Sequence, residues 1–486
     1  MASDCFTRRC VFFAAAAISV SCAGYRKYEP APLDPVREAA SYLMRRLDDP
    51  KLVRFLTEHG VNPDSATSPT GLALTSLYFR SDVAESSALV AAARAAETTG
   101  RARPNPSAST SIERNLSSGD RGTSPWTVSL TTGLTLETGG KRAARVSHAR
   151  ASTLASELRL ESTEWRLAQE TRVAAVSSLG ADNDVADAES EFSEQRTLLV
   201  LLRARYAEGR ISLADLAQAE TDVRNATVGV TQAKRSRTDA RTSLSHSLGV
   251  PLSSVESLVI RNETRSACDG LDTPRAKTLR DTLETLALRR RFDVGVALAD
   301  YAIAEASLRQ QIAQQYPDLN IGPGISWDQG VARWLLALGT GAIPLTRNRG
   351  PIAEAEARRS VQAAHFKVTE DSVLAQVDSA EAACRNVQSE IDAANSLAAA
   401  TRERLRLAQA AYSRGETGRT EVALANLALV RVAHIQRQAL QRRQLAGSML
   451  EAALGVWLTA PGIRWPQGFV PSIDGGGAHA TREKLE

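Results

Sequence analysis

The chain has 486 residues, 43% of them hydrophobic and 23% charged, with a formal net charge of +4. That near-balance, with no basic block, argues against a nucleic-acid partner. Aromatic residues make up only 5%, thin for a compact globular core and common in long Ala-rich helices.

In chain order, residues 1–21 read as an export signal. Arg8 and Arg9 precede the apolar run VFFAAAAISV (11–20), which is too short to cross a bilayer as a helix. Small residues before Cys22 are similar to a bacterial lipoprotein box, although Ser19 stands where Leu is usual. Either Cys22 is lipidated after cleavage or ordinary cleavage occurs nearby. Residues 22–71 are expected to form a lipid anchor and an extended N-terminal strap, given Tyr25, Tyr28, Pro30 and Pro32. Cleavage removes Cys5 and Cys10. It leaves Cys268 in a loop and Cys384 in a helix, which read as two unpaired thiols. No later segment has 18 consecutive apolar residues, so any membrane crossing must use strands.

The chain is written twice. ARYAEGRISLADLAQAE (204–220) recurs as AAYSRGETGRTEVALAN (410–426), pairing Tyr206 with Tyr412, Gly209 with Gly415 and Asp215 with Glu421. The register holds to Leu248-Gly249-Val250 and Leu454-Gly455-Val456, while Asp82-Val83 and Pro106 anticipate Asp293-Val294 and Pro317. The predicted organisation is a first structural repeat (72–257), a polar linker (258–278), a second repeat (279–457) and a disordered tail (458–486). Each repeat reads as a helix (72–101; 281–314), two strands, a long helix (141–205; 351–411), a glycine turn and a final helix (212–247; 419–454).

The strands are expected at 107–116, 126–137, 318–328 and 333–345. From Trp126 to Leu136 apolar residues take alternate positions with Thr and Ser between them, and Leu319, Ile321, Ile325 and Trp327 do the same. Strands of this length with one apolar face suit a membrane barrel, and Trp126, Trp327 and Trp334 fall near strand ends, where interfacial aromatics belong. Taken alone, the strands favour two soluble hairpins packed on helices; the export signal and the helix lengths shift the balance to the barrel. Residues 141–205 contain no proline and a single glycine, Gly180; as a helix they would span about 100 Å. Such helices persist by packing on other helices along their length. Four strands cannot close a barrel, and open edges are not tolerated in lipid. The expected fold class is therefore an internally duplicated α+β membrane protein. Coiled-coil hairpins form a long α-helical barrel, and four strands per chain join a trimeric twelve-stranded outer membrane β-barrel.

With these features in place, the chain resembles the TolC-type outer membrane efflux proteins over about residues 72–457. The duplicated Tyr-x-x-Gly turn followed by an acid is similar to that family's helical tips. ETGGKRAAR (137–145), IPLTRNRGPIAEAEAR (343–358) and RPNP (103–106) resemble its cobalt–zinc–cadmium, or heavy-metal cation, branch. The resemblance implies a homotrimeric exit duct in outer membrane lipid above a periplasmic helical tunnel. It also implies two partners: a periplasmic adaptor (membrane fusion) protein and an inner-membrane, proton-driven pump of the resistance-nodulation-division type. Multidrug efflux or type I protein secretion on the same architecture is the alternative, and a periplasmic coiled-coil scaffold without a pore is a rival of another class.

Position within the resemblance places Asp215 and Glu421 at the closed periplasmic end, where a trimer would gather six carboxylates able to attract cations and bias permeation. The competing reading is plain helix capping, Ser212 with Asp215 forming a capping box. Gly209, Arg210, Ile211 and Ser212, with Gly415, Thr417 and Gly418, would be the adaptor-docking tips; the competing reading is turn chemistry in which both glycines supply positive φ. His59, His148, His246, His365, His434 and His479 are scattered without ligand spacing, so no metal site and no cofactor are expected. GTGA (339–342) lacks the ending of a phosphate-binding loop, and no catalytic constellation is present.

Overall fold

The computed structural model describes residues 26–459 apart from 115, 117–123, 264, 270–275 and 329–330. The export signal, Cys22 and tail residues 460–486 lie outside the described residues. The chain divides into two bodies, one ending at Arg45 and one beginning at Arg46.

In the first body the expected extended strap holds only to Asp34. There the Asp34 carboxylate accepts the N–H groups of Val36 and Arg37 and opens helix α1 (Pro35–Leu43), with proline in its first turn. The second body begins in the same way, as Asp49 caps α2 (Pro50–Glu58). A capping Asp followed by Pro starts a helix, which corrects the reading of this segment as strap throughout.

The helix expected over 72–101 is two helices, α3 (Pro69–Phe79) and α4 (Ser81–Arg101), broken at Arg80 in extended backbone with ψ 124°. Arg80 donates to Asp82 at 2.8 Å and to the carbonyl of His246 at 3.0 Å, bonds that reach it only when the chain turns there. The second repeat has the same break. α7 (Ala276–Arg290), which begins inside the expected linker, and α8 (Phe292–Ala313) meet at Arg291, paired with Asp293.

Four strands follow the expected order. They are β1 (Ser107–Arg114), β2 (Trp126–Leu136), β3 (Leu319–Asp328) and β4 (Val331–Thr340), in one antiparallel sheet of order β1-β2-β3-β4. β4 starts two residues early and stops at Thr340; Gly341 still donates to the Asp318 carbonyl at 2.7 Å, and Pro344 beyond it has no N–H to extend a ladder. The long helices are α5 (Lys141–Ala207, 67 residues) and α9 (Arg349–Ser413, 65 residues). Each turns into a 36-residue partner, α6 (Leu213–Leu248) and α10 (Arg419–Leu454). α5 packs along α6, α4, α8 and α10, and α9 along α10 and α8.

Two cores hold these helices together. Leu167, Ala168 and Ala175 of α5 bury against Leu72 and Leu74 of α3 and Leu244 and Leu248 of α6. Val373 and Val377 of α9 bury with Ala446 and Leu450 of α10. Between the repeats sits a buried ion pair: Arg172 of α5 binds Glu451 of α10 and, at 3.2 Å, Glu263 of the linker. Glu451 also accepts the N–H groups of Leu458 and Thr459 at 2.7 Å each. The first two residues of the expected disordered tail are thus held in place, because a buried carboxylate retains its donors.

One expectation is overturned outright. Cys268 and Cys384 form a disulfide with Cα atoms 5.3 Å apart across a sequence separation of 116. The linker folds back along α10 to reach α9: Ser266 Oγ donates to the Arg443 carbonyl at 3.0 Å, and Gln444 Nε2 to that of Glu263 at 2.6 Å. Gly447 lets the linker approach, since a Cβ there would stand 2.4 Å from Ser266 Oγ.

Candidate functional site

The sheet is amphipathic with the apolar side outward. Along β2, Trp126, Val128, Leu130, Leu134 and Leu136 are about half exposed, while the alternating Thr and Ser residues are more covered. Register extends the apolar face across the sheet. Val128 stands between Ile112 and Trp327, Ile325 beside Trp334, and Ile321 beside Leu338. The other face is a ladder of hydroxyls: Ser109 with Thr131 at 2.7 Å, Ser111 with Ser129 at 2.6 Å, Thr127 donating to Asp328 at 2.8 Å and Thr135 to Asn320 at 3.0 Å. A soluble hairpin packed on helices would bury its apolar side, and among the described residues nothing covers this one. β1 and β4 are open edges. An exposed apolar belt, a hydrogen-bonded polar face and two free edges are the properties of a barrel segment in lipid.

The passage from strand to long helix is built by ETGGKRAAR. Gly139 and Gly140 both adopt left-handed backbone (φ +64° and +73°), and a Cβ on Gly139 would stand 2.5 Å from the Tyr316 ring. Lys141, buried, binds Asp318 at 2.8 Å, and Thr138 N–H donates to the same carboxylate at 3.2 Å. Burial pushes Asp318 up, but these donors outweigh it and hold the carboxyl below its usual range. Arg142 donates to the Arg101 carbonyl at 2.9 Å and Arg145 to those of Gly100 and Ala102 at 3.1 and 3.0 Å, closing the end of α4. Arg145 also pairs with Glu137. In the second repeat Arg347 and Asn348 take the left-handed positions, and Asn348 Nδ2 donates to the Gln311 carbonyl at 2.7 Å. These collar contacts escaped sequence reasoning, because each partner lies in another element.

At the far ends of α5 and α9 the two tips share one geometry. Gly209 and Gly415 have φ of +71° and +75°. Each follows a double closure: Gly209 N–H to Tyr206 O and Arg210 N–H to Arg205 O in one, Gly415 N–H to Tyr412 O and Glu416 N–H to Ala411 O in the other. Asp215 and Glu421 are both exposed beyond these turns, as are Arg210, Ser212 and Gly418, while Ile211 and Thr417 are partly covered. Ser212 and Asp215 form the full capping box, and Ser212's hydroxyl and N–H hold the Asp215 carboxyl below its usual range. Glu421 lacks that box; its N–H donates to the Gly418 carbonyl at 3.1 Å. Three pairs at the tips were not anticipated: Glu208–Arg210, Arg414–Glu416 and Arg419 donating to the Tyr412 hydroxyl at 2.8 Å.

Midway along α5 lies a cluster that sequence spacing could not reveal, because its members are about 250 positions apart. Asp184 and Asp187 of α5 meet His434 and Arg437 of α10. This qualifies the expectation that no metal-ligating set exists, since the histidine finds its partners only through the seam between repeats. Burial pushes the Asp184 carboxyl up; His434 opposes this and Asp187 adds to it.

Comparison with known proteins follows the same lines. Residues 75–250 match the family described as outer membrane efflux protein. No curated protein sequence matches the chain. Among solved structures, CusC is 18% identical with a TM-score of 0.61, covering 80% of this chain and 92% of that one. The outer-membrane channel OprN is 18% identical with a TM-score of 0.63, covering 90% and 98%. The open-state MtrE outer membrane channel of Neisseria gonorrhoeae is 18% identical with a TM-score of 0.60, covering 80% and 89%. At these identities the likeness is one of fold: a mostly helical chain with a four-stranded antiparallel sheet.

Proposed function

We propose that this chain, whose residues 75–250 match the outer membrane efflux protein family, is a member of that family and the exit duct of a tripartite exporter. It is a passive channel and catalyses no reaction. The observation that carries the reading is the sheet with its apolar face exposed and both edges open. Three chains supply twelve strands, enough to close a barrel in the outer membrane, and place the long hairpins side by side as a periplasmic tunnel. Cys22 anchors the assembly by lipidation. At the tunnel's tip Asp215 and Glu421 form the carboxylate ring. The turns at Gly209, Arg210, Ile211 and Ser212 and at Gly415, Thr417 and Gly418 receive the hairpins of a periplasmic adaptor, which couples the duct to a proton-driven inner-membrane pump.

The cargo we favour is a heavy-metal cation, on the likeness of ETGGKRAAR and IPLTRNRGPIAEAEAR to that branch. Those residues build the collar and select nothing themselves, so selection belongs to the pump. The primary test is the mass of the mature protein extracted from outer membranes in mild detergent. A trimer released only by detergent is expected; a monomer released by salt overturns the duct.

A further inference from the structure

On the seam between repeats, three donor groups converge. Asp184 and Asp187, one turn apart on α5, face His434 of α10, and one donor atom from each lies within 4.8 Å of the others. His434 Nδ1 is 3.0 Å from Asp187 Oδ2 and 3.8 Å from Asp184 Oδ1. In a tetrahedral site with bonds of about 2.0–2.2 Å, neighbouring ligand atoms stand about 3.4 Å apart, a spacing that these two distances bracket. The Asp187 side chain is 6% exposed, while those of Asp184 and His434 are 36% exposed, which gives a hydrated ion a way in and room for a water ligand. The Gln438 amide lies 2.8 Å from His434 Nε2. The atom at that distance is the amide nitrogen, which donates to Nε2; metal binding at Nδ1 requires this amide to flip, so that its oxygen accepts the Nε2 proton and the Nδ1 lone pair is freed.

We propose that Asp184, Asp187 and His434 form a site for a divalent transition-metal cation that ties the first repeat to the second across the α5–α10 seam. One imidazole and two carboxylates suit Zn²⁺, Co²⁺, Ni²⁺ or Cu²⁺; a soft ion such as Cu⁺ needs sulfur ligands. Arg437 is the competitor, its Nε 2.9 Å from Asp187 Oδ2 and its Nη2 on Oδ1. An ion-pair clamp alone would be complete with Arg437 on Asp187. Beyond that pair, Asp184 faces His434 at 3.8 Å and, among the described residues, accepts no hydrogen bond, so its half-open carboxylate is free to ligate an ion. The site stands independently of the exit-duct reading.

The test uses the full-length protein in detergent, stripped with EDTA and titrated with Zn²⁺ by calorimetry, with Mg²⁺ as control. Zn²⁺ is expected to bind once per chain and raise the thermal midpoint, and Mg²⁺ to do neither. Asp184→Asn and His434→Gln should each weaken binding at least tenfold, while His365→Gln, an exposed histidine of α9, leaves it unchanged. Arg437→Gln is the decisive variant. Without its competitor the metal should bind several-fold more tightly, even as the metal-free protein melts at a lower temperature. Zn²⁺ binding that is unaffected by Asp184→Asn and His434→Gln, or weakened by Arg437→Gln, overturns the proposal and leaves an ion-pair clamp.

Discussion

Glu161 lies on α5, 9% exposed, its Oε2 buried without a hydrogen-bond partner. Burial first, then the charges of Glu164 and Glu157, push its carboxyl up to about 7 from an ordinary 4.5. A folded-state value above the unfolded one means that its contribution is fully present below the unfolded value. It is lost progressively as pH rises through the folded one. Over that window the loss amounts to about 3 kcal/mol at most. Glu161→Gln removes the ionisation and keeps the shape. The variant's thermal midpoint should therefore fall less than the native protein's between about pH 5 and 8, and lie above it at the upper end. Parallel midpoint curves for the two proteins would show that Glu161 is not the group that titrates. At this scale the sequence was most informative where the chemistry is local. Gly209 and Gly415 announce positive φ because a turn between two helices needs it within three residues, and Ser212 announces its box with Asp215. His434 and Cys268 announce nothing, since their partners are set by the fold.

Among the elements, the strands and long helices were legible because period-two and helical patterns are properties of the segment itself. The breaks at Arg80 and Arg291 were not. Nothing in the flanking sequence forbids a continuous helix; the turn is selected by each arginine's bonds to Asp82 and His246 or to Asp293. The linker is a second such case. Its polar composition suggests a free connection, yet Ser266, Glu263 and Cys268 fasten it to α10 and α9. A crosslink across 116 positions constrains the unfolded chain strongly, by about 4–5 kcal/mol in the chain-entropy view. The Cys268→Ser, Cys384→Ser double variant should melt well below the oxidised protein and coincide with the native protein after reduction. If reduction leaves the midpoint unchanged, the contacts of Ser266 and Gln444 hold the linker by themselves. Such a bond also agrees with folding in an oxidising compartment, as the proposed periplasmic placement would supply.

Across the whole molecule, the duplication read from the sequence places two acids, Asp215 and Glu421, at equivalent positions beyond the two tip turns, and the threefold assembly we propose would multiply them to six. Two roles compete for Asp215. Its bonds to Ser212 (the Ser212 N–H at 3.1 Å, the hydroxyl at 2.8 Å) make it a helix cap in the isolated chain, whereas a ring of carboxylates makes it a determinant of ion passage. Asparagine separates the two, because its side-chain oxygen still accepts from Ser212 while the charge is gone. In planar bilayers, Asp215→Asn combined with Glu421→Gln should lower the cation-to-anion permeability ratio of the channel without moving its thermal midpoint. The change should shrink as salt is raised, because screening shortens the reach of the ring. Asp215→Ala should reproduce the selectivity change and, in addition, fray the start of α6. Unaltered selectivity in the charge-neutral pair, with destabilisation confined to the alanine variant, would reduce Asp215 to a cap and move the permeability barrier away from the tips.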